Sequence, residues 1–236
     1  MKTLILILLF ISPLISFSSV QQTGAMEFLS LSYRINPIWG LSFYHYDTFA
    51  FEKKVYQGRK YEAGIIDTYF QTSLSYQFDQ NIVFNLGHIF QEKDPLHEGF
   101  QNEHRIFEQV TFLQRLRYLN ISHRFRYEQR FTDNRNEDRI DFRTRLRYQI
   151  GLKIPLRGII LDSKEFYFNT YNEFYLSTTG ARNAFYSDNW YYAALGYQTE
   201  NWGSFEMGPL IQTSVINRDK DLRWFYALQS GWIYRF

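Results

Sequence analysis

The sequence predicts an all-β protein, an antiparallel transmembrane β-barrel of about 10–12 strands that follows an amino-terminal signal peptide. Two observations predict this class. Segments in which apolar and polar side chains alternate recur along the chain, and the amino terminus is an apolar stretch behind a basic residue. Aromatic residues make up 20% of the chain although the mean hydropathy is −0.39, which is typical of half-polar strands with aromatic girdles.

The first residues have the organisation of a secretory signal peptide. Lys2 provides a basic head, residues 4–15 form an apolar core, and Ser16 and Ser18 supply small residues for cleavage. No later stretch approaches the roughly 18–20 apolar residues that a membrane helix needs, so an exported chain could cross a membrane only as a closed barrel. We expect residues 1–18 to be removed, with cleavage near 18–20, and residues 19–236 to form one outer-membrane barrel domain.

The carboxyl-terminal strand shows the alternation most clearly. Arg223, Gln229 and Arg235 fall on one face, because side chains alternate along a strand with a period of two. The opposite face carries Trp224, Tyr226, Leu228, Trp232, Tyr234 and Phe236. Such a stripe suits a strand whose outer face meets lipid. The ending also resembles the terminal strand that the outer-membrane assembly machinery recognises, which would make that machinery a partner through Phe236.

Eleven segments have strand-like patterning. They are 26–35, 40–51, 65–78, 82–91, 105–117, 121–131, 140–151, 165–178, 190–199, 205–217 and 223–236. Short turns alternate with longer charged connections at 52–64, 92–104, 132–139 and 179–189, as in outer-membrane barrels. Because bacterial single-chain barrels carry an even number of strands, either one strand is split or missed, or the segment before Leu41 is not a full wall strand.

A ladder of charged side chains is predicted inside the barrel, because charges on a lipid face would cost a few kcal/mol. Its members are Arg124, Arg126, Glu128, Arg130, Asp141, Arg143, Arg145, Arg147 and Glu173. If Phe131 lies near Ile140, the facing pairs are Arg130 with Asp141, Glu128 with Arg143, Arg126 with Arg145, and Arg124 with Arg147. Like charges directly opposite each other are destabilising, so an anionic group is expected near the last two pairs.

Two interpretations of the ladder remain open at this point. In the first, Glu173, Glu165 and Glu206 neutralise the arginines in a structural network that fills a small barrel. In the second, the arginines form a cationic lumen site for a phosphate or carboxylate, which guanidinium groups bind in bidentate fashion. Replacing Arg145 and Arg147 by Gln would relieve repulsion if no acid neutralises them.

Catalytic and metal-binding patterns are weak. The histidines are His45, His88, His97, His104 and His123. The outer-membrane phospholipase and lipid A deacylase families carry a His two residues before the catalytic Ser, and no such pair occurs in this sequence. Acidic and histidine residues are scattered along the connection 92–104, and Asn134, Asn136, Glu137 and Asp138 match no EF-hand spacing. We assign no catalytic residue, metal ligand or cofactor and favour a non-enzymatic role.

A family resemblance covers about the last 130 residues. It is carried by RIFEQ (105–109), HRFRYEQRF (123–131), FRTRLRYQIGLKIPL (142–156), FYFNTYNEFYL (166–176) and SDNWYYAALGYQ (187–198), in that order. These motifs resemble a domain-of-unknown-function family of gram-negative bacteria regarded as outer-membrane barrels. The resemblance implies fold and location, but it implies no activity and no site residues.

We therefore predict a monomer in the bacterial outer membrane, surrounded by lipid. Its leading role is a narrow or plugged passive channel, or a structural surface protein, with an arginine-rich lumen. The alternatives are a lipid-modifying enzyme of the acyl hydrolase type and a surface receptor that uses the connections 52–64 and 92–104. The net charge of +2 is too small to indicate nucleic acid, and the absence of cysteine excludes a disulfide framework.

Overall fold

Eleven strands form a closed barrel in the computed structural model, and two further short strands form a hairpin outside its wall. The structure describes residues 19–97, 100–117, 119–134, 139–180 and 184–236. The strands are β1 (Ser19–Arg34), β2 (Trp39–Ala50), β3 (Lys54–Tyr56), β4 (Arg59–Tyr61), β5 (Gly64–Gln77), β6 (Ile82–Lys93), β7 (Gln101–Leu116), β8 (Leu119–Asn134), β9 (Arg139–Pro155), β10 (Glu165–Thr179), β11 (Tyr186–Gln198), β12 (Ser204–Val215) and β13 (Leu222–Arg235). No helix in the described ranges is long and apolar enough to cross a membrane. The predicted signal peptide, residues 1–18, lies outside these ranges.

The barrel closes between its first and last strands. Every other neighbouring pair in the wall is antiparallel, but β1 and β13 pair in parallel, from Ser19 beside Leu222 to Ser32 beside Arg235. The prediction of a wholly antiparallel barrel is therefore wrong at this one pair. With an odd number of alternating strands, the first and last necessarily run in the same direction. Without β1, the remaining ten wall strands would alternate throughout.

Each of the eleven predicted segments coincides with one wall strand. The segment before Leu41 is a full strand, and it begins seven residues earlier than predicted, at Ser19 rather than Met26. Its outward residues in this added part are Gln21, Thr23 and Ala25, which are not apolar enough for the alternation to be visible in the sequence. The predicted connection 52–64 contains the hairpin β3–β4, which sequence patterning did not reveal.

The two ends of the barrel differ in the length of most of their connections, as predicted, but the predicted long connection 132–139 is shortened to four residues between β8 and β9. Most connections at one end, the turn end, are short: 35–38, 78–81, 117–118 and 199–203, with a longer one at 156–164. The other end, the loop end, includes the hairpin β3–β4 and the β12–β13 connection. There the hairpin reaches across β1, because the Tyr56 hydroxyl and the Gln57 amide donate to Asp221 at 3.0 and 2.9 Å. Gln22 of β1 donates to the backbone oxygen of Glu52 at 2.9 Å, so the hairpin and β1 are held together above the closing pair.

The lumen has two chemically different sectors. Most of the sector from β11 through β13, β1 and β2 to β6 is filled by small, aliphatic and aromatic side chains, whereas β7 to β10 contribute arginines and glutamates. The buried apolar members are Met26, Tyr46, Ala50, Tyr69, Ile89, Tyr192, Ala194, Leu210, Phe225 and Ala227, and Phe107 of β7 packs with them. The predicted faces of the carboxyl-terminal strand are confirmed, since Gln229 is 2% exposed and its neighbour Leu228 is 54% exposed.

Gly231 marks a close approach at the closing pair. A Cβ at this position would overlap the ring of Phe28 on β1, which packs in the lumen directly beside it. We predict that Gly231→Val lowers the free energy of unfolding by about 1–3 kcal/mol, the usual cost of overpacking. Urea unfolding of the refolded protein, followed by tryptophan fluorescence, measures this change.

Ser230→Val is the matched control, because Ser230 is the next residue on β13 and its side chain faces outward. It should leave the unfolding midpoint nearly unchanged. Equal effects of the two substitutions would contradict the packing of β1 against β13.

Candidate functional site: the charged network of the lumen

Strands β8 and β9 pair in a register that differs from the predicted one. Phe131 lies opposite Phe142, not Ile140, because the two strands extend to Asn134 and Arg139 and the connection between them is only four residues long. This shift by two residues leaves every side chain on its predicted face but changes every partner. The predicted facing pairs are therefore wrong. The facing pairs are Glu128 with Arg145, Arg126 with Arg147, Arg130 with Arg143, Arg124 with Gln149 and Thr132 with Asp141.

Glu128 lies at the centre of the charged residues and is fully buried. One carboxylate oxygen accepts hydrogen bonds from Nε and Nη2 of Arg145 at 2.9 and 2.6 Å, and the other accepts from Nη1 of Arg147 at 2.8 Å. Guanidinium nitrogens of Arg105 and Arg126 lie 3.9 and 3.7 Å away. One carboxylate thus lies within 4 Å of arginines from three strands.

Glu173 on β10 is the second buried carboxylate. It accepts from Nε and Nη2 of Arg147, each at 2.9 Å, and from Nη2 of Arg124 at 2.8 Å. The hydroxyl of Tyr175 also donates to it at 3.1 Å. Arg147 consequently bridges Glu128 and Glu173, and it lies 4.5 Å from the centre of the Tyr175 ring, a cation–π distance.

Glu103 and Arg105 belong to the same group, although sequence analysis placed Glu103 in a loop. Both lie on β7, which begins at Gln101, and both face the lumen. Glu103 accepts from Nε of Arg105 at 2.5 Å and from Nε and Nη2 of Arg130 at 2.5 and 2.8 Å. The sequence indicates this placement. Glu103 has the same parity as Arg105 and Phe107, so it extends the alternation of the predicted strand 105–117 toward the amino terminus.

We call these residues the lumen network: Glu103, Arg105, Arg124, Arg126, Glu128, Arg130, Arg145, Arg147 and Glu173. Of the two remaining predicted members, Asp141 and Arg143 form a separate pair at 3.0 Å nearer the loop end. Glu206 and Glu165 do not neutralise the arginines as expected. Glu206 accepts from Tyr167 and Asn169 at 2.8 and 2.9 Å, and Glu165 accepts from the backbone of Asp162.

Arg126 differs from the other buried arginines because its hydrogen bonds go to neutral groups. Its Nε donates to Gln109 at 2.9 Å, and its Nη1 donates to Gln71 at 2.9 Å and to the Tyr69 hydroxyl at 3.4 Å. Its guanidinium carbon lies 4.2 Å from the centre of the Phe107 ring. Amide oxygens and an aromatic face therefore hold a guanidinium that is only 4% exposed.

Aromatic side chains connect opposite walls of the barrel beside the lumen network. Tyr46 stacks on Tyr69 with ring centres 4.5 Å apart, and Trp190 lies 6.2 Å from Tyr46 and 5.6 Å from Tyr175. We call these four residues the aromatic bridge. Because β2 and β10 lie on opposite sides of the barrel, the bridge crosses the lumen. Since Tyr46 and Trp190 face inward, the strands 40–51 and 190–199 carry aromatic side chains on both faces, and the sequence shows no clear apolar face for either strand.

A cavity of about 750 Å³ remains beside the bridge. It extends from Arg59 and Ile216 at the loop end to Ser122 and Ile233, which lie beyond the lumen network toward the turn end. Eleven basic and six acidic side chains among the described residues line it. Asp94 lies near the loop end of the cavity. Burial raises the pKa of its carboxyl group, and the nearby positive charge of Arg223 opposes this rise. The lumen is thus filled in large part but retains a continuous polar space.

The histidines lie apart from the lumen network. The side chains of His88 and His104 face outward, and their ring nitrogens lie 3.3 Å apart. His104 lies on β7, which begins at Gln101, and not in a loop as predicted. His123 faces outward beside Tyr148, whereas its neighbour Ser122 lines the cavity. Among the described residues, no group of three or more histidine, aspartate or glutamate side chains could hold a metal ion. Glu98, Asn136, Glu137 and Asp138 lie outside the described ranges.

The sequence matches the model of one protein family over residues 27–222, which is described as a protein of unknown function, DUF2490. The chain belongs to this family. The match begins at residue 27, so it includes part of the amino-terminal quarter as well as the motifs that carried the resemblance, and it contains nine of the eleven wall strands completely and half of β1. No curated protein and no solved structure matches the chain.

Glu128 supplies the negative charge that makes the buried arginines tolerable. We predict that Glu128→Gln lowers the free energy of unfolding by about 3–5 kcal/mol, because removing one partner of a buried ion pair leaves uncompensated charge. Urea unfolding of the refolded protein measures the effect.

Glu200→Gln is the matched control, since Glu200 lies in the connection 199–203 at the turn end and is exposed. Its replacement should change stability by no more than about 0.5 kcal/mol. A Glu128→Gln variant as stable as the control would show that the lumen network does not stabilise the barrel.

Proposed function

We propose that the protein spans the outer membrane of a gram-negative bacterium as a monomeric barrel. The outward side chains support this proposal, because they form an apolar belt around the wall while charges are concentrated in the lumen. Exposed members of the belt include Leu41, Leu74, Leu86, Phe112, Phe125, Leu146, Phe168, Leu195, Met207 and Leu228. A soluble barrel would place its apolar side chains inside and its charges outside.

The two borders of the belt also suit a membrane. Exposed aromatic side chains cluster at the turn end, as interfacial girdles do: Tyr33, Trp39, Tyr76, Phe78, Trp202 and Phe236. Nearer the loop end the outward side chains include Glu27 and Asp47, which lie opposite each other on β1 and β2. Glu108 is a carboxylate within the belt, and the amide of Gln129 donates to it at 3.3 Å.

Within the membrane the protein would act as a narrow passive passage that prefers anions. The observation that carries this proposal is the continuous polar cavity, with its excess of basic over acidic lining side chains. The side chains of Glu103 and Glu128 are 1% and 0% exposed and do not line the cavity, whereas the arginines that pair with them do. An ion in the cavity would therefore contact guanidinium groups rather than these carboxylates. The aromatic bridge excludes the wide aqueous pore of a general porin, which requires 16–18 strands.

The proposed partners are the surrounding lipid and the outer-membrane assembly machinery. The carboxyl-terminal strand that would be recognised, β13, pairs with β12 on one side and β1 on the other and ends beside Phe236. No nucleic acid is proposed as a partner, because the basic side chains are concentrated in the lumen and not on the outer wall.

Electrical recordings test the proposed passage. The refolded protein in a planar bilayer should give small, discrete current steps, and a KCl gradient should give a reversal potential of the sign expected for chloride preference. Arg143→Gln should move that potential toward zero, because Arg143 lines the cavity and is 21% exposed.

Arg157→Gln is the control, since it removes the same charge from an exposed position in the β9–β10 connection. It should leave the reversal potential unchanged. Cation preference, or a silent bilayer that contains folded protein, would contradict the proposed passage.

A further inference from the structure

The arginines that face the lumen outnumber their carboxylate partners. Apart from the exposed Arg139, seven arginines on β7, β8 and β9 lie within 4 Å of a carboxylate, and these seven share four carboxylates of the described residues. The arginines are Arg105, Arg124, Arg126, Arg130, Arg143, Arg145 and Arg147, and the carboxylates are Glu103, Glu128, Asp141 and Glu173. Unbalanced positive charge on partly or fully buried side chains is unfavourable, so a bound anion would stabilise this arrangement.

Arg124 is the member of this set best placed to meet such an anion. Its side chain is 24% exposed, more than that of any of the other six. Its Nη2 shares Glu173 with Arg147, while its buried Nε has no hydrogen-bond partner among the described residues. Its third nitrogen, Nη1, makes no hydrogen bond among the described residues, and because the side chain lines the cavity this N–H group can donate to an oxygen of a bound ligand.

Aromatic side chains face the same part of the cavity. Tyr44 and Tyr171 line it near Arg124, and neither hydroxyl has a hydrogen-bond partner among the described residues. The ring of Tyr44 lies 5.9 Å from that of Phe28, and the ring of Tyr171 lies 5.2 Å from that of Tyr192. The site therefore combines a guanidinium and two phenol donors with flat apolar surfaces.

We propose that Arg124, Tyr44 and Tyr171 form a binding site for a small aromatic carboxylate within the lumen. The carboxylate would accept hydrogen bonds from Arg124 and the two phenols, and its ring would pack against Tyr44 and Phe28. Glu173 lies next to Arg124, so the site favours a single negative charge over a doubly charged phosphate. The inference rests on the proposed passage only in that the ligand reaches the site through the cavity.

Isothermal titration of the refolded full chain with benzoate tests the site. Benzoate should bind, whereas benzyl alcohol and inorganic phosphate should bind at least tenfold more weakly. Arg124→Gln should weaken benzoate binding at least tenfold, and Tyr44→Phe and Tyr171→Phe should each weaken it about threefold. Arg157→Gln should leave it unchanged.

Arg124→Lys separates loss of the ligand contact from loss of folding. It keeps the positive charge beside Glu173 but removes the planar guanidinium that binds a carboxylate through two nitrogens. It should retain the unfolding midpoint and still bind benzoate at least fivefold more weakly. Absence of benzoate binding to the folded parent chain, or binding that is unaffected by both Arg124 variants, would overturn the site.

The site and the passage can fail separately. Chloride current without benzoate binding would overturn the site and leave the passage intact. Benzoate binding that depends on Arg124, in a barrel that carries no current, would overturn the passage and retain the site.

Discussion

A single buried carboxylate, Glu128, determines how the charged half of the barrel is arranged. Arg145 and Arg147 donate to it directly, and Arg105 and Arg126 lie within 4 Å. Four positive charges so close together would repel one another strongly, because all four side chains are buried. The carboxylate therefore stabilises the pairing of β7, β8 and β9, and it favours the one register in which Glu128 lies opposite Arg145.

The same arrangement explains why the lumen is narrow but polar. Arg147 connects Glu128 to Glu173 and lies over the Tyr175 ring, and Tyr175 continues through Trp190 to Tyr46 on the opposite wall. Charged and aromatic side chains together thus span the interior, and a cavity remains alongside them. The first interpretation of the ladder, a structural network, describes most of these arginines. The second applies to Arg124, which keeps an unpartnered N–H.

The strand faces were predictable from the sequence, but the partners across the strands were not. Alternation with a period of two places Arg145 and Glu128 in the lumen whichever register is chosen. The register depends on where the β8–β9 connection begins. The polar residues after Thr132 predict a loop from that position, whereas β8 continues through it. Inward-facing aromatics such as Tyr46 and Trp190 hid the apolar face of their strands. The parallel closure of β1 against β13 follows from the eleven strands that the sequence patterning contains, whereas the even strand number of bacterial barrels predicts antiparallel closure.

A double-mutant cycle between Glu128 and Arg145 tests the central role of Glu128 most directly. The free energies of unfolding would be measured for Glu128→Gln, Arg145→Gln, the double variant and the parent chain. We expect a coupling of about 1–3 kcal/mol, and a coupling below about 0.5 kcal/mol in a parallel cycle between Glu128 and Arg143. Strong coupling to Arg143 and none to Arg145 would contradict both the register and the network built on it.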